Sequence, residues 1–144
     1  MVQELTSVAL TEFATDWYAA LDRHDDVDDV LARFIDERLV LNLPEGTFLG
    51  EAGFREWYDA VTARFFDEKH TLREVRPIST SATEAEVSVV VNWQFTMHDG
   101  HQAASAWGGF DAYQTWTVVG GKNGPRMTVY TADKLDPMPG SASI

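Results

Sequence analysis

The sequence of 144 residues contains no cysteine, and basic residues are scarce in it. Without cysteine the chain cannot form disulfides, thiolate nucleophiles or cysteine-ligated zinc and iron–sulfur sites. Lysine and arginine number 11 against 23 acidic residues, which gives a net charge of −12. Because nucleic acids and anionic membranes are bound by basic surfaces, we expect neither as a partner.

Long apolar runs are missing as well. Nowhere do about 18 apolar residues follow one another, as a membrane-spanning helix requires. The segment MVQELTSVALTEF lacks the basic stretch and continuous apolar run of a secretory signal. We therefore expect a cytoplasmic protein.

Motifs for nucleophilic, phosphate and metal chemistry are also missing. No G-x-S-x-G elbow is present, and the glycine-rich segment 120–124 precedes a predicted strand, whereas a phosphate-binding loop precedes a helix. Of the histidines, His98 and His101 flank a predicted tight turn, which favours an exposed hairpin tip over a zinc site. We expect neither a metal nor another cofactor.

The first half of the chain has the apolar spacing of three amphipathic helices. They are predicted at about residues 6–21, from Asp25 or Asp26 through residue 35, and at about residues 51–66. Either aspartate can accept the free N–H groups of the second helix. A short strand at residues 38–43 separates the second helix from the third and ends at Pro44.

From residue 70 onward the hydrophobic period changes. Residues 70–78, 84–98, 103–119 and 126–135 alternate β-branched and aromatic residues with polar ones, which predicts four antiparallel strands. Helices followed by strands indicate an α+β fold, in which three N-terminal helices pack on a strongly curved, mainly antiparallel sheet. We expect one domain at residues 1–136 and a disordered tail at residues 137–144.

Aromatic residues are numerous: eight phenylalanines, five tryptophans and four tyrosines. Helices on a strongly bent sheet leave a conical hollow, and an apolar hollow with a few polar groups is the usual site of a small molecule. The alternative is that these rings only fill the core and a dimer face. The predicted substrate-binding aromatics are Tyr18, Trp57, Trp93, Trp116 and Tyr130.

Three short segments, in this order of helices and strands, resemble a known family. They are ALDRHDDVDD at 20–29, NLP at 42–44 and DEKHTLREV at 67–75. Over about residues 4–136 the chain resembles the SnoaL-like branch of the NTF2-like superfamily, which includes polyketide cyclases, scytalone dehydratase, ketosteroid isomerase and limonene epoxide hydrolase. The resemblance implies the cone-shaped, cystatin-like α+β fold.

The resemblance also implies a catalytic pair. In the dehydratase-like members, an aspartate near the end of the first helix pairs with a histidine that begins the first long strand, and the matching residues are Asp22 and His70. A carboxylate on one imidazole nitrogen fixes the tautomer and leaves the other nitrogen to move a proton. The alternative is that Asp22 is an exposed helix-end residue, since it lies off the apolar stripe that includes Trp17 and Leu21. The other aspartates of 20–29 are predicted to serve the second helix, and His24 to be solvated.

Asn42 is predicted to bind substrate or water together with Tyr18. Its position is similar to that of an asparagine that helps to hold the nucleophilic water in the epoxide hydrolases. The alternative is that Asn42 ties the loop at 44–50. The hydrolases' Asp–Arg–Asp relay is absent, because the matching positions are Asn92, Gln94 and Thr131. The base aspartate of the ketosteroid isomerases is absent too.

We therefore predict a cofactor-independent enzyme that dehydrates, isomerises or cyclises a hydrophobic, oxygenated substrate. Residues 86–97 are apolar on both strand faces, which predicts a homodimer through the sheet. Two alternatives stay open: a non-catalytic ligand-binding or dimerisation module, and an accessory protein similar to the β-subunit of an oxygenase.

Overall fold

The computed structural model describes residues 5–98 and 105–144. Its elements, in chain order, are α1 (Ser7–Arg23), α2 (Val27–Phe34), β1 (Ile35–Leu43), β2 (Gly46–Leu49), α3 (Gly50–Arg64), β3 (Phe65–Thr80), β4 (Glu84–His98), β5 (Ser105–Val119) and β6 (Arg126–Pro137). The strands form one mixed sheet in the order β2-β1-β6-β5-β4-β3. Only β1 and β6 pair in parallel within this described sheet. The sheet is open, with β2 and β3 at its edges, and the predicted α+β class is confirmed.

The helix α1 places its apolar stripe against the sheet. It begins after Thr6, whose hydroxyl accepts the N–H of Ala9 at 3.0 Å. Phe13, Trp17 and Leu21 are buried on the predicted face. The helix ends at His24, which adopts a left-handed conformation with φ 53° and donates its N–H to carbonyls of the last turn.

The long strands supply the other half of the core. Val87, Val89 and Val91 of β4 are fully buried and alternate with less buried residues, as expected for a strand whose inner face meets the helices. A second, smaller apolar cluster joins Phe65 to Phe95 and Phe110.

Three boundaries differ from the sequence prediction. The third helix ends at Arg64, and Phe65 already belongs to β3, where it pairs with Met97. The expected loop after Pro44 contains β2, which forms a hairpin with β1. The strand β1 begins at Ile35, because it follows α2 without a connecting loop.

The last residues have a defined course where we expected a disordered tail. The N–H of Met138 donates to the Gly109 carbonyl at 2.9 Å, and the N–H of Ala142 donates to the Trp107 carbonyl at 3.0 Å. The segment thus continues along β5 beyond the end of β6.

Two expectations fall outside the described residues: the hairpin-tip position of His101 and the start at Ala103 of the strand predicted over residues 103–119. Among the described helices, none combines the length and the apolar character that crossing a membrane requires.

Candidate active site

A cavity of about 790 Å³ lies between α3 and the inner face of the sheet. Such a volume is in the range of small-molecule sites. Aromatic side chains form much of its wall, namely Trp57, Tyr58, Phe65, Trp93, Phe110 and Tyr130. Ten polar residues line it as well, namely Glu45, Thr62, Arg64, Glu68, His70, Gln114, Asp133, Lys134, Ser141 and Ser143. The predicted aromatic hollow is therefore present, with more polar groups than expected.

The predicted pair Asp22–His70 is in direct contact. Oδ1 of Asp22 lies 2.6 Å from Nδ1 of His70, and the backbone N–H of His70 donates to both carboxylate oxygens at 3.0 and 3.2 Å. The His70 side chain is 9% exposed and that of Asp22 is 24% exposed. The helix does not unwind for this contact, since α1 is regular to Arg23 and β3 packs along its end.

These contacts assign the tautomer of His70. A carboxylate that accepts the backbone N–H is an acceptor at the ring as well, so Nδ1 carries the proton. Nε2 is then the basic nitrogen of the neutral ring. Within residues 5–98 and 105–144 it has no hydrogen-bond partner, and His70 borders the cavity.

Two aromatic rings hold the imidazole in place. The Tyr18 ring stacks on His70 at a centroid distance of 4.7 Å, and the Trp93 ring lies parallel to it on the cavity wall at 5.9 Å. A ring fixed by Asp22 at one edge and by these neighbours cannot turn freely. This is the preorganisation that a proton-transferring group requires.

Gln114 is a cavity residue that the sequence analysis missed. Its Oε1 accepts the Tyr18 hydroxyl at 2.6 Å and the Trp116 indole N–H at 3.0 Å. Because an indole N–H can only donate, the oxygen must be the atom that faces Trp116. The amide group Nε2 is therefore turned the other way, as a fixed donor at the cavity wall.

Burial keeps the tyrosines around Gln114 neutral. It raises the pKa of Tyr18 well above the ordinary value. It also raises the pKa of Tyr130 to about 12. Tyr18 consequently acts as a hydrogen-bond donor to Gln114 over the ordinary pH range.

Glu68 is the second cavity residue that was missed. Its Oε1 accepts the Trp93 indole N–H at 3.0 Å, and its Oε2 is paired with Nε2 of His24. The expectation that His24 is solvated is wrong, because the left-handed end of α1 turns this ring toward Glu68. The segment DEKH at 67–70 indicated the position of Glu68. Glu68 and His70 are two residues apart, and residues with this spacing on a strand share a face.

A β-bulge places Glu68 and His70 in the cavity. Phe66 pairs with Thr96 but Lys69 pairs with Gln94, so β3 has one extra residue here. Asp67 has φ 49° at this point. The extra residue reverses the strand alternation, so that both Phe65 and His70 face the cavity.

The predicted aromatic binding residues divide into two groups. Trp57, Trp93 and Tyr130 border the cavity. Tyr18 and Trp116 lie behind it, where both hold Gln114. Trp116 is 1% exposed and belongs to the main core, so its predicted place on the cavity wall is corrected.

Asn42 faces away from the cavity. Its amide bonds Thr131 and Thr47 on the neighbouring strands at 3.2 Å each. Leu41 is buried in the core and Leu43 borders the cavity. Asn42, which lies between them on the strand, therefore points to the opposite face. Two interpretations of Asn42 followed from the sequence. The structure agrees with the one in which Asn42 contacts the segment after Pro44.

The remaining aspartates of residues 20–29 are structural. Asp26 caps α2 by accepting the N–H of Asp28 at 2.9 Å. Asp25 forms an ion pair with Arg23, and this pair lowers the pKa of the Asp25 carboxyl. Within the described ranges, no cluster of three or more acidic or histidine side chains has the arrangement of a metal site.

The family follows from residues 14–123, which match the model of the SnoaL-like domain. The chain belongs to the SnoaL-like family. This match confirms the resemblance drawn from the three segments. No curated protein sequence matches the chain.

Solved structures share the SnoaL-like fold of this chain. A protein from Novosphingobium aromaticivorans described as an aromatic ring hydroxylase is 22% identical, with a TM-score of 0.79 over 91% of this chain and 92% of its own. One from the same organism described as a scytalone dehydratase is 16% identical, with a TM-score of 0.77 over 95% and 87%. A type 2 hexachlorocyclohexane dehydrochlorinase is 14% identical, with a TM-score of 0.75 over 95% and 91%. At these identities the likeness is one of fold.

Proposed function

We propose that this protein is a cofactor-independent enzyme that performs acid/base chemistry on a small, hydrophobic, oxygenated molecule. The observation that carries the proposal is the position of His70: one nitrogen is held by Asp22, and the other has no partner among the described residues and lies at an aromatic cavity. A histidine so placed can take and return a proton.

Elimination of water is the reaction that these groups serve best. Nε2 of His70 removes a proton from the carbon beside a carbonyl, and Asp22 stabilises the resulting imidazolium. The Gln114 amide N–H donates to the carbonyl oxygen as negative charge develops there. The carbon–oxygen bond then breaks, and the imidazolium returns its proton to the departing hydroxide. The products are an enone and water. An isomerisation uses the same first step and returns the proton to carbon.

The similar structures support this class of reaction. Two of the three are described as a dehydratase and a dehydrochlorinase. Both descriptions denote loss of a proton and a leaving group from neighbouring carbons. The chemistry at His70 provides the same proton removal without a metal or a redox cofactor.

Dehydration of a simple β-hydroxy ketone tests the proposal. With β-hydroxypropiophenone, the wild-type protein should accelerate formation of phenyl vinyl ketone, which is measured by ultraviolet absorbance. His70→Gln should lower the rate by about 100-fold or more. His98→Gln, an exposed histidine at the end of β4, is the control and should keep the wild-type rate. Equal rates for wild type and His70→Gln would show that His70 is not the base.

We also propose a homodimer through the outer face of the sheet. On this face Val90 pairs with Tyr113 across β4 and β5, and Tyr113 and Trp107 are exposed. Exposed aromatic rings on a sheet face are typical of a covered surface. Light scattering should give a dimer mass, and Tyr113→Lys should lower it. A monomer at micromolar concentration contradicts this proposal without affecting the chemistry.

A further inference from the structure

Glu68 is the acidic side chain nearest to His70 along β3. Only Lys69 lies between them on the extended strand, which corresponds to about 7 Å between the Cα atoms of Glu68 and His70. The bulge at Asp67 has already brought the strand into the phase in which both side chains face the cavity. Glu68 and His70 therefore line the same part of the cavity.

The carboxylate of Glu68 is held in one orientation. The side chain is only 7% exposed, and each of its oxygens is bonded to a different ring, Oε1 to Trp93 and Oε2 to His24. The His24 side chain is 27% exposed and separates the carboxylate from solvent. An acceptor fixed in this way selects for the position of a donor as well as for its presence.

The bonding capacity of Glu68 is not used up. A carboxylate accepts about four hydrogen bonds, and this one has two partners within residues 5–98 and 105–144. In the described part of the chain no lysine or arginine pairs with Glu68, and His24 forms its one salt bridge there. Arg64 and Lys134 also line the cavity, but neither pairs with Glu68 in the described part of the chain. A further donor from a bound molecule is favoured beside Glu68, whereas a carboxylate placed against its oxygens is repelled by the like charge.

We propose that Glu68 is the specificity-determining residue of the cavity and accepts a hydroxyl or phenol group of the substrate. The site then binds neutral molecules in which such a donor lies about 7 Å from the reacting carbon, the length of two strand positions. It rejects carboxylates. This inference rests on the proposed function, since it assigns the substrate class of the same cavity.

Calorimetric binding of three matched aromatic compounds tests the inference. They are para-propylphenol, para-propylanisole and para-propylbenzoate, which share a ring and a tail but offer a donor, no donor and a negative charge. The wild-type protein should bind the phenol about tenfold or more tightly than the ether, since hydrogen bonds to charged groups are strong. It should bind the benzoate more weakly than the ether.

Glu68→Gln is the informative variant, because its amide oxygen still accepts the Trp93 indole N–H while the charge is lost. The preference for phenol over ether should fall to about threefold or less, and the benzoate should gain about tenfold in affinity. Glu45→Gln is the matched control, since Glu45 borders the cavity but is exposed. It should keep the wild-type preferences.

Four results would overturn the inference: no binding of the phenol to wild type, equal binding of phenol and ether to wild type, binding of the benzoate to wild type at least as tight as that of the ether, or an unchanged preference in Glu68→Gln. The wild-type comparison needs no variant, so a poorly folded Glu68→Gln protein would not prevent the test. None of the three compounds contains a β-hydroxy ketone, so these binding results do not affect the His70 assay of β-hydroxy ketone dehydration. Likewise, if the wild-type protein shows no activity in the dehydration assay, its binding preferences for the three compounds can still be measured.

Discussion

Asp22 binds His70 at two points, because its carboxylate accepts both the ring Nδ1–H at 2.6 Å and the backbone N–H. The contact joins the last turn of α1 to β3 across the edge of the sheet. One side chain therefore fixes the strand and the tautomer of the ring that the strand carries. Stability and activity are coupled at this position.

We predict that Asp22→Asn lowers activity more than stability. The amide can keep an oxygen for the backbone N–H, but its NH₂ group then meets Nδ1 and favours the tautomer with a proton on Nε2. The base is lost, and kcat/KM should fall by about 100-fold or more. The free energy of unfolding should fall by about 1–3 kcal/mol, the usual cost of a weakened charge-assisted bond.

Asp16→Asn is the control for the Asp22 variant, since Asp16 is exposed on the same helix. It removes the same charge and should change neither kcat/KM nor the urea midpoint. An Asp22→Asn protein with wild-type turnover of the β-hydroxy ketone would contradict the role assigned to the carboxylate.

The helices could be predicted from sequence because their signals are local. The stripe that includes Phe13, Trp17 and Leu21 has the period of a helix, and all three are buried. Asp26 was one of two predicted caps, and it is the one observed. The pair of Asp22 with His70 came from resemblance, since a contact across 48 residues leaves no local pattern.

The start of β3 could not be predicted, because Phe65 continues the apolar spacing of the third helix. Strand pairing with Met97 and the small cluster around Phe95 override that period. Without the start of β3, the bulge at Asp67 could not be predicted either. The inward direction of the Glu68 side chain depends on that bulge and was therefore missed. Long-range pairing decides this part of the site.

Asn42 and Gln114 show why the faces of strands are hard to assign from sequence. Each is a polar residue in an apolar strand, and both faces of each strand carry apolar residues. Sequence analysis chose Asn42, whereas Gln114 is the residue at the cavity. A shift of one residue in register exchanges the faces, and register depends on neighbouring strands.

Two buried tryptophans allow a matched test of hydrogen bonding in the core. Trp17 and Trp116 are 0% and 1% exposed. The Trp116 indole N–H donates to Gln114, whereas that of Trp17 lies near the Tyr130 hydroxyl but completes no hydrogen bond among the described residues. Trp17→Phe removes an unsatisfied donor, but Trp116→Phe breaks a bond.

We predict that Trp116→Phe destabilises the protein by about 2 kcal/mol more than Trp17→Phe does. Both changes remove a similar volume, so the difference reports the two N–H groups. Urea unfolding at neutral pH measures it. A larger loss in Trp17→Phe would mean that its indole has an acceptor.

Buried tyrosines predict the behaviour of the protein at alkaline pH. Burial is the main cause that raises the pKa of both Tyr58 and Tyr130 from 10.0 to about 12, and the pKa of Tyr18 is raised as well. Between these values the unfolded chain loses protons that the folded protein keeps. The contribution of these tyrosines to the free energy of unfolding should therefore be constant below about pH 10 and fall between about pH 10 and 12.

The slope with which the free energy of unfolding falls above pH 10 gives the number of tyrosines involved. A fully buried tyrosine such as Tyr130 adds up to about 1.4 kcal/mol per pH unit. Urea midpoints across the range should show the fall, and Tyr130→Phe should make it shallower. If the ultraviolet signal of tyrosinate rises fully while circular dichroism stays native, the buried rings ionise without unfolding and the prediction is wrong.

Asp67 tests whether the bulge positions the site. Its side chain is exposed, so substitutions act through the backbone at φ 49°. Asp67→Gly and Asp67→Asn tolerate this conformation and should keep activity and stability, whereas Asp67→Val should cost about 1–2 kcal/mol, because a branched side chain clashes there. Deleting Asp67 removes the extra residue, so Phe65 and His70 can no longer both face the cavity. The deletion should abolish turnover even where urea unfolding shows a folded protein. A deletion variant with wild-type turnover would show that the alternation of β3 does not depend on this bulge.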